Sequence, residues 1–135
     1  MFTRLNHIGI AVKNLFEAEK KFSSVFITQF SEPEIVEEQK VKVNFVDLPN
    51  MRIELLEPTA ADSPISKFLE KRGEGIHHLS FEVDDIEEEL RRLKESGIQL
   101  IDEQPKRGAE GFLVAFIHPK STNGVLIEIS QKIKE

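Results

Sequence analysis

Two histidines and two glutamates stand at matching places in this chain, and together they have the chemistry to hold a divalent metal ion. Leu5-Asn6-His7-Ile8-Gly9-Ile10-Ala11-Val12 is echoed by Ile76-His77-His78-Leu79-Ser80-Phe81-Glu82-Val83. Downstream of each histidine one acid sits among apolar residues: Glu54 in Arg52-Ile53-Glu54-Leu55-Leu56 and Glu128 in Leu126-Ile127-Glu128-Ile129. The spacing is 47 residues in the first copy (54 − 7) and 50 in the second (128 − 78). Side chains alternate between the two faces of a strand. His7 therefore shares a face with Leu5 and Gly9 rather than with Ile8 and Ile10, and the same parity selects His78, not His77, as its equivalent. A carboxylate in so apolar a stretch is costly unless it is paired, hydrogen-bonded or metal-bound. His7, Glu54, His78 and Glu128 are thus candidate ligands. Two imidazoles with two carboxylates suit Mn, Co, Fe, Ni or Zn without choosing among them. Four protein ligands leave an octahedral ion two positions for substrate or water, as in a catalytic centre.

The elements that must carry these residues can be read around them. Residues 4–12 form a strand, after which Asn14 caps a helix and Glu17 reaches back to it. Leu15, Ala18, Phe22, Val25 and Phe26 recur at helical spacing as one apolar stripe. In the second copy residues 77–83 are the strand, Asp85 the cap, and Glu88 its partner. Ile86, Leu90 and Leu93 form the stripe, and Gly97 stops the helix. Strands are expected at 28–36, 40–48 and 51–57 in the first copy, and at 99–103, 112–118 and 124–130 in the second. Pro49-Asn50 and the 119–123 stretch are the turns. Ser63-Pro64 caps a short connecting helix that runs through Lys71 and ends at Gly73. The order β-α-β-β-β thus occurs twice. The expected organisation is one domain over 1–135, made of a module 1–58, a linker helix within 59–75 and a module 76–135.

Composition narrows the functional classes. At 135 residues with 39% hydrophobic content, 7 Gly and 6 Pro, the chain belongs with folded globular proteins. No apolar run approaches the ~20 residues needed to cross a bilayer, and the N-terminus lacks a signal-peptide pattern, so a soluble cytoplasmic protein without a membrane partner is expected. With no cysteine, thiolate metal sites, disulfides and cysteine nucleophiles are excluded. A net charge of −6 disfavours a nucleic-acid surface, while leaving room for a local basic pocket around a phosphorylated small molecule.

On these motifs the chain resembles the vicinal oxygen chelate (glyoxalase/bleomycin resistance) superfamily, and within it the methylmalonyl-CoA epimerases. The resemblance covers nearly the whole chain. It is carried by residues 6–12, Ile53-Glu54-Leu55-Leu56-Glu57-Pro58, Asp62-Ser63-Pro64-Ile65, Gly75-Ile76-His77-His78, Pro105-Lys106-Arg107-Gly108 and His118-Pro119-Lys120 leading to Gly124-Val125-Leu126-Ile127-Glu128. It implies an α+β fold in which two tandem βαβββ modules form a cupped, eight-stranded mixed sheet. It also implies an isomerase that epimerises methylmalonyl-CoA at the α-carbon through a chelated enolate. The implied metal is Co, Mn, Ni or Zn, and the implied proton-transfer residues are Glu128 and, as its partner, Glu54. Some relatives place a second acid on the strand matching residues 40–48, where this chain has no carboxylate before Asp47. Lys106, Arg107 and Lys120 are the implied contacts for coenzyme A, and a homodimer is the implied assembly. Glyoxalase I (lactoylglutathione lyase) or another isomerase or lyase of the superfamily is the alternative, since the same four ligands serve it. The non-enzymatic alternative is a small-molecule-sequestering binding module, which typically lacks the metal residues.

Overall fold

The order β-α-β-β-β, helix, β-α-β-β-β is the one found. In the computed structural model, which describes residues 1–133, β1 (Phe2–Ala11) leads to α1 (Leu15–Phe26), β2 (Glu34–Val36), β3 (Val41–Asp47) and β4 (Arg52–Pro58). The connecting α2 (Pro64–Arg72) precedes β5 (Gly75–Val83), α3 (Ile86–Glu95), β6 (Lys106–Arg107), β7 (Phe112–Ile117) and β8 (Ile127–Lys132). The strands are hydrogen-bonded in the order β2-β3-β4-β1-β5-β8-β7-β6. The β5–β8 pair is parallel, whereas β2–β3, β3–β4, β6–β7 and β7–β8 are antiparallel. This is the eight-stranded mixed sheet of the glyoxalase-type fold.

Two compact units divide the chain: Ile8–His77, and Met1–His7 with the chain from His78 onward. In the first, α1 packs over β3 and β4, and Leu15, Val41, Val43, Ile53, Leu55 and Ile65 are buried. In the second, α3 sets Ile86, Leu90 and Leu93 against Val83, Ala115, Ile117 and Ile129. These strand residues are all odd-numbered, so the even-numbered side chains of β7 and β8 point to the face away from α3.

Each long helix is started twice over, in the same way. Asn14 Oδ1 accepts from Glu17 N at 2.9 Å, and Asp85 Oδ1 accepts from Glu88 N at 3.1 Å. The first helical amide of each finds a distant acceptor: Leu15 N donates to Glu57 at 2.7 Å, and Ile86 N to Gln131 at 2.8 Å. Leu15 and Ile86 each lie eight residues after their histidine, and Glu57 and Gln131 each lie three after their acid. The repeat therefore extends to the bonds tying each acid-bearing strand to the helix of its own module.

Three sequence expectations are corrected. The strand expected over 28–36 shrinks to Glu34–Val36, because Ile27 ends α1 in the left-handed region (φ 54°) and Pro33 has no N–H to pair. The strand expected over 99–103 is reduced to a bridge between Leu100 and Ile117. There the Asp102 side chain, not a backbone carbonyl, takes the Phe116 amide at 2.8 Å, and Lys106–Arg107 provide the edge strand instead. Val25, expected in the apolar stripe of α1, is exposed; Leu15 and Ala18 are buried and Phe22 and Phe26 half-buried.

Candidate active site

His7, near the middle of β1, and His78, on the neighbouring β5, belong to the same compact unit as Glu128 on β8. All three are buried, at 6%, 3% and 3% exposure. The His7 and His78 Nε2 atoms approach to 3.0 Å, their rings meeting edge to face. Glu128 Oε1 stands 3.5 Å from His7 Nε2 and 3.8 Å from His78 Nε2. The backbone explains the convergence. Glu128 pairs in register with Ser80, two residues beyond His78 on the same face of β5.

The tautomer of His7 is set by its neighbour. Asn6 Oδ1 accepts a 2.6 Å hydrogen bond from His7 Nδ1–H, both residues being buried, so the neutral ring presents its Nε2 lone pair to the cluster. Glu128 is pushed up to about 7, because burial penalises its charged form. A hydrogen bond from the Ser80 hydroxyl and the positive charge of Lys106 pull the other way, and Asp102 adds to the rise. On the other side of the double histidine, burial lowers His77 to about 4; its ring packs edge-on against Phe68 at 5.0 Å. His77 is thus a neutral packing residue.

These residues fit a divalent cation. Nitrogen and oxygen ligands sit about 2.1 Å from such an ion, so adjacent ligands stand roughly 3 to 3.4 Å apart, close to the spacing of this cluster. Glu128 Oε1 is buried with no hydrogen-bond partner among the described residues. An orphaned carboxylate oxygen facing two imidazole nitrogens is a costly arrangement that a cation relieves.

Glu54 belongs to the Ile8–His77 unit, where it is buried on β4 in register with Phe45. Arg107 and Lys120 are exposed, the latter in a 3₁₀ turn (Pro119–Thr122) whose start is capped by His118 Nδ1 accepting from Lys120 N at 3.1 Å. Lys106 is half-buried, with Nζ 3.3 Å from Asp102 Oδ1 and 5.3 Å from the centre of the Phe116 ring. Sequence reasoning passed over Asn6, Ser80 and Asp102 as site residues. Adjacency to His7 and shared parity with His78 were available signals for the first two. Asp102 gave none, since a lone acid after an apolar pair reads as a strand end.

Known proteins carry the same organisation. The sequence matches the Glyoxalase/Bleomycin resistance protein/Dioxygenase superfamily over residues 6–116. It is 45% identical over 128 residues to the uncharacterized protein YqjC of Bacillus subtilis (strain 168), covering 95% of this chain and 91% of that one. It is 43% identical over 133 residues to the ethylmalonyl-CoA/methylmalonyl-CoA epimerase of Cereibacter sphaeroides, covering 97% and 99% respectively. Among solved structures, a Ser-to-Thr variant of Streptomyces coelicolor methylmalonyl-CoA epimerase, in complex with 2-nitronate-propionyl-CoA, superposes with a TM-score of 0.92 at 32% identity, over 98% of this chain and 96% of that one. With the fold, the repeat and near end-to-end identity in agreement, the chain belongs to the glyoxalase/bleomycin resistance protein/dioxygenase superfamily.

Proposed function

We propose that this chain is a metal-dependent acyl-CoA epimerase that inverts methylmalonyl-CoA at its α-carbon, with residues 1–135 acting as one catalytic domain. The observation that carries the reading is the buried carboxylate of Glu128 facing two convergent imidazoles, in a chain 43% identical over 97% of its length to an ethylmalonyl-CoA/methylmalonyl-CoA epimerase.

The α-carbon of methylmalonyl-CoA lies between a thioester and a carboxylate, and inversion needs a proton removed from one face and returned to the other. His7, His78, Glu128 and Glu54 are the residues that hold the ion, which is Co, Mn, Ni or Zn. When bound, a divalent ion supplies Lewis-acid stabilisation of the charge that develops on the substrate oxygens. Glu128 exchanges the α-proton on one face. Glu54, the repeat-equivalent acid, is assigned the second proton transfer. Asn6 keeps His7 Nε2 turned inward, and Ser80 pairs in register with Glu128 across β5 and β8. The exposed Arg107 and Lys120 meet the phosphates of coenzyme A. A cytoplasmic homodimer is the proposed working form, and sedimentation of the purified protein reads the assembly.

The test is NMR of methylmalonyl-CoA in D₂O with protein reconstituted with Co or Mn, after quenching and chelation, beside protein-free and metal-stripped samples. Metal-dependent deuteration at the α-carbon with loss of stereochemical purity is expected. Glu128→Gln is expected to stay folded and lose at least about 100-fold in exchange. Exchange no faster than background would overturn the reading and move the reaction to glyoxalase-type chemistry.

A further inference from the structure

We propose that Lys106 reads the free carboxylate of the acyl group, and so sets a preference for malonyl-type thioesters over simple acyl-CoA. This rests on the epimerase reading and deepens it. Residues opposite one another in an antiparallel pair share a face. Lys106 is in register with Val114, and Phe116, two residues along the same strand, with Glu128. Lys106, Val114, Phe116 and Glu128 therefore line one face, while α3 covers the other.

On that face the ammonium is held in place. Asp102 uses Oδ2 to accept the Phe116 amide at 2.8 Å and keeps Oδ1 for Lys106 Nζ at 3.3 Å. Nζ also sits 5.3 Å from the centre of the Phe116 ring, whose other neighbour is His78, edge-on at 5.5 Å. One aromatic ring thus bridges the lysine and a histidine of the cluster. An ammonium carries three N–H donors. Asp102 engages it from one side, leaving donors for an incoming anion.

The substrate supplies that anion. Methylmalonyl thioesters carry a carboxylate on the carbon that loses its proton; propionyl thioesters do not. Deprotonation puts a second negative charge beside the first, and a fixed ammonium offsets it at no reorganisation cost. Phosphate groups on a flexible coenzyme tail have less need of an anchored cation, and Arg107 and Lys120 are the exposed ones.

Calorimetric titration of Mn²⁺-loaded protein with CoA, propionyl-CoA and methylmalonyl-CoA separates the readings. Lys106→Met is expected to weaken methylmalonyl-CoA by roughly 10- to 100-fold and the other two by less than about twofold, with Lys106→Arg restoring most of the loss. An equal loss for all three ligands would assign Lys106 to the phosphates and overturn the proposal. No loss for any would leave it a partner of Asp102 only, and overturn it equally. If Lys106→Met fails to fold, Asp102→Asn frees the ammonium without removing it. That variant is expected to weaken methylmalonyl-CoA alone, by a smaller factor, and unchanged binding would again overturn the idea. Wild-type protein that does not favour methylmalonyl-CoA over propionyl-CoA would bring down the epimerase reading itself. A wild-type preference that survives in Lys106→Met would bring down only the role of Lys106.

Discussion

The hydrogen bond from His7 Nδ1 to Asn6 decides which ring nitrogen faces the cluster, and its removal tests that role directly. Asn6→Ala is expected to weaken Mn²⁺ binding by about tenfold while Asn6→Asp, which keeps the acceptor oxygen, retains it; titration followed by the Mn²⁺ EPR signal reads both. Glu128 makes a second prediction, for the metal-free protein. Its carboxyl is raised from the ordinary 4.5 to about 7 by burial, so the folded state binds a proton more tightly than the unfolded state. The stabilisation is full below about 4.5 and is lost as pH rises through about 7, a drop of about 3 kcal/mol. Chemical denaturation of metal-stripped protein across that range should show the drop, and Glu128→Gln should flatten it. A wild-type curve as flat as the variant's would show the carboxyl to be solvated. The histidines and acids of this cluster were legible in the sequence because they repeat. Asn6 and Ser80 were marked only by adjacency to His7 and by shared parity with His78, weaker signals than a repeat.

Elements are where the repeat is most literal. Gln131, on the last strand, accepts from the first amide of α3, and Glu57 does the same for α1. Gln131→Ala leaves the Ile86 amide without that acceptor and is expected to cost about 1 kcal/mol in urea denaturation. Gly97→Ala is expected to cost a similar amount (~1 kcal/mol), because Gly97 follows α3 at φ +82°. No heavy atom beyond its chain neighbours lies within 4 Å of the added Cβ, so the cost comes from the backbone alone. The helices were readable because caps and stripes are local: Asn14, Asp85 and the Ile86-Leu90-Leu93 stripe all do what their spacing implies. The short edge strands were not. Residues 28–33 are ended as a strand by a proline and a left-handed residue, and 99–103 by the Asp102 side chain in the ladder. The second effect depends on a partner, Phe116, that no local window contains.

For the molecule as a whole, the proposed ion would link folding to metal supply. A divalent ion that binds only the folded state, at 100 times its dissociation constant, adds about 2.7 kcal/mol, or roughly 10 °C in Tm for a chain of this length. Chelator should lower Tm by that amount and Mn²⁺ should restore it; a Tm indifferent to both would count against the metal assignment. Among the described residues no helix is long and apolar enough to cross a membrane. The alternation along β7 and β8 reaches further than stability. Ala115, Ile117 and Ile129 hold the fold, while Val114, Phe116 and Glu128 face away from that core. Point substitutions at the even positions can therefore alter what this surface recognises while inheriting an intact scaffold. A one-residue insertion or deletion in either strand would exchange the two sets and forfeit both. Such a strand evolves new specificities by replacement, not by changes of length.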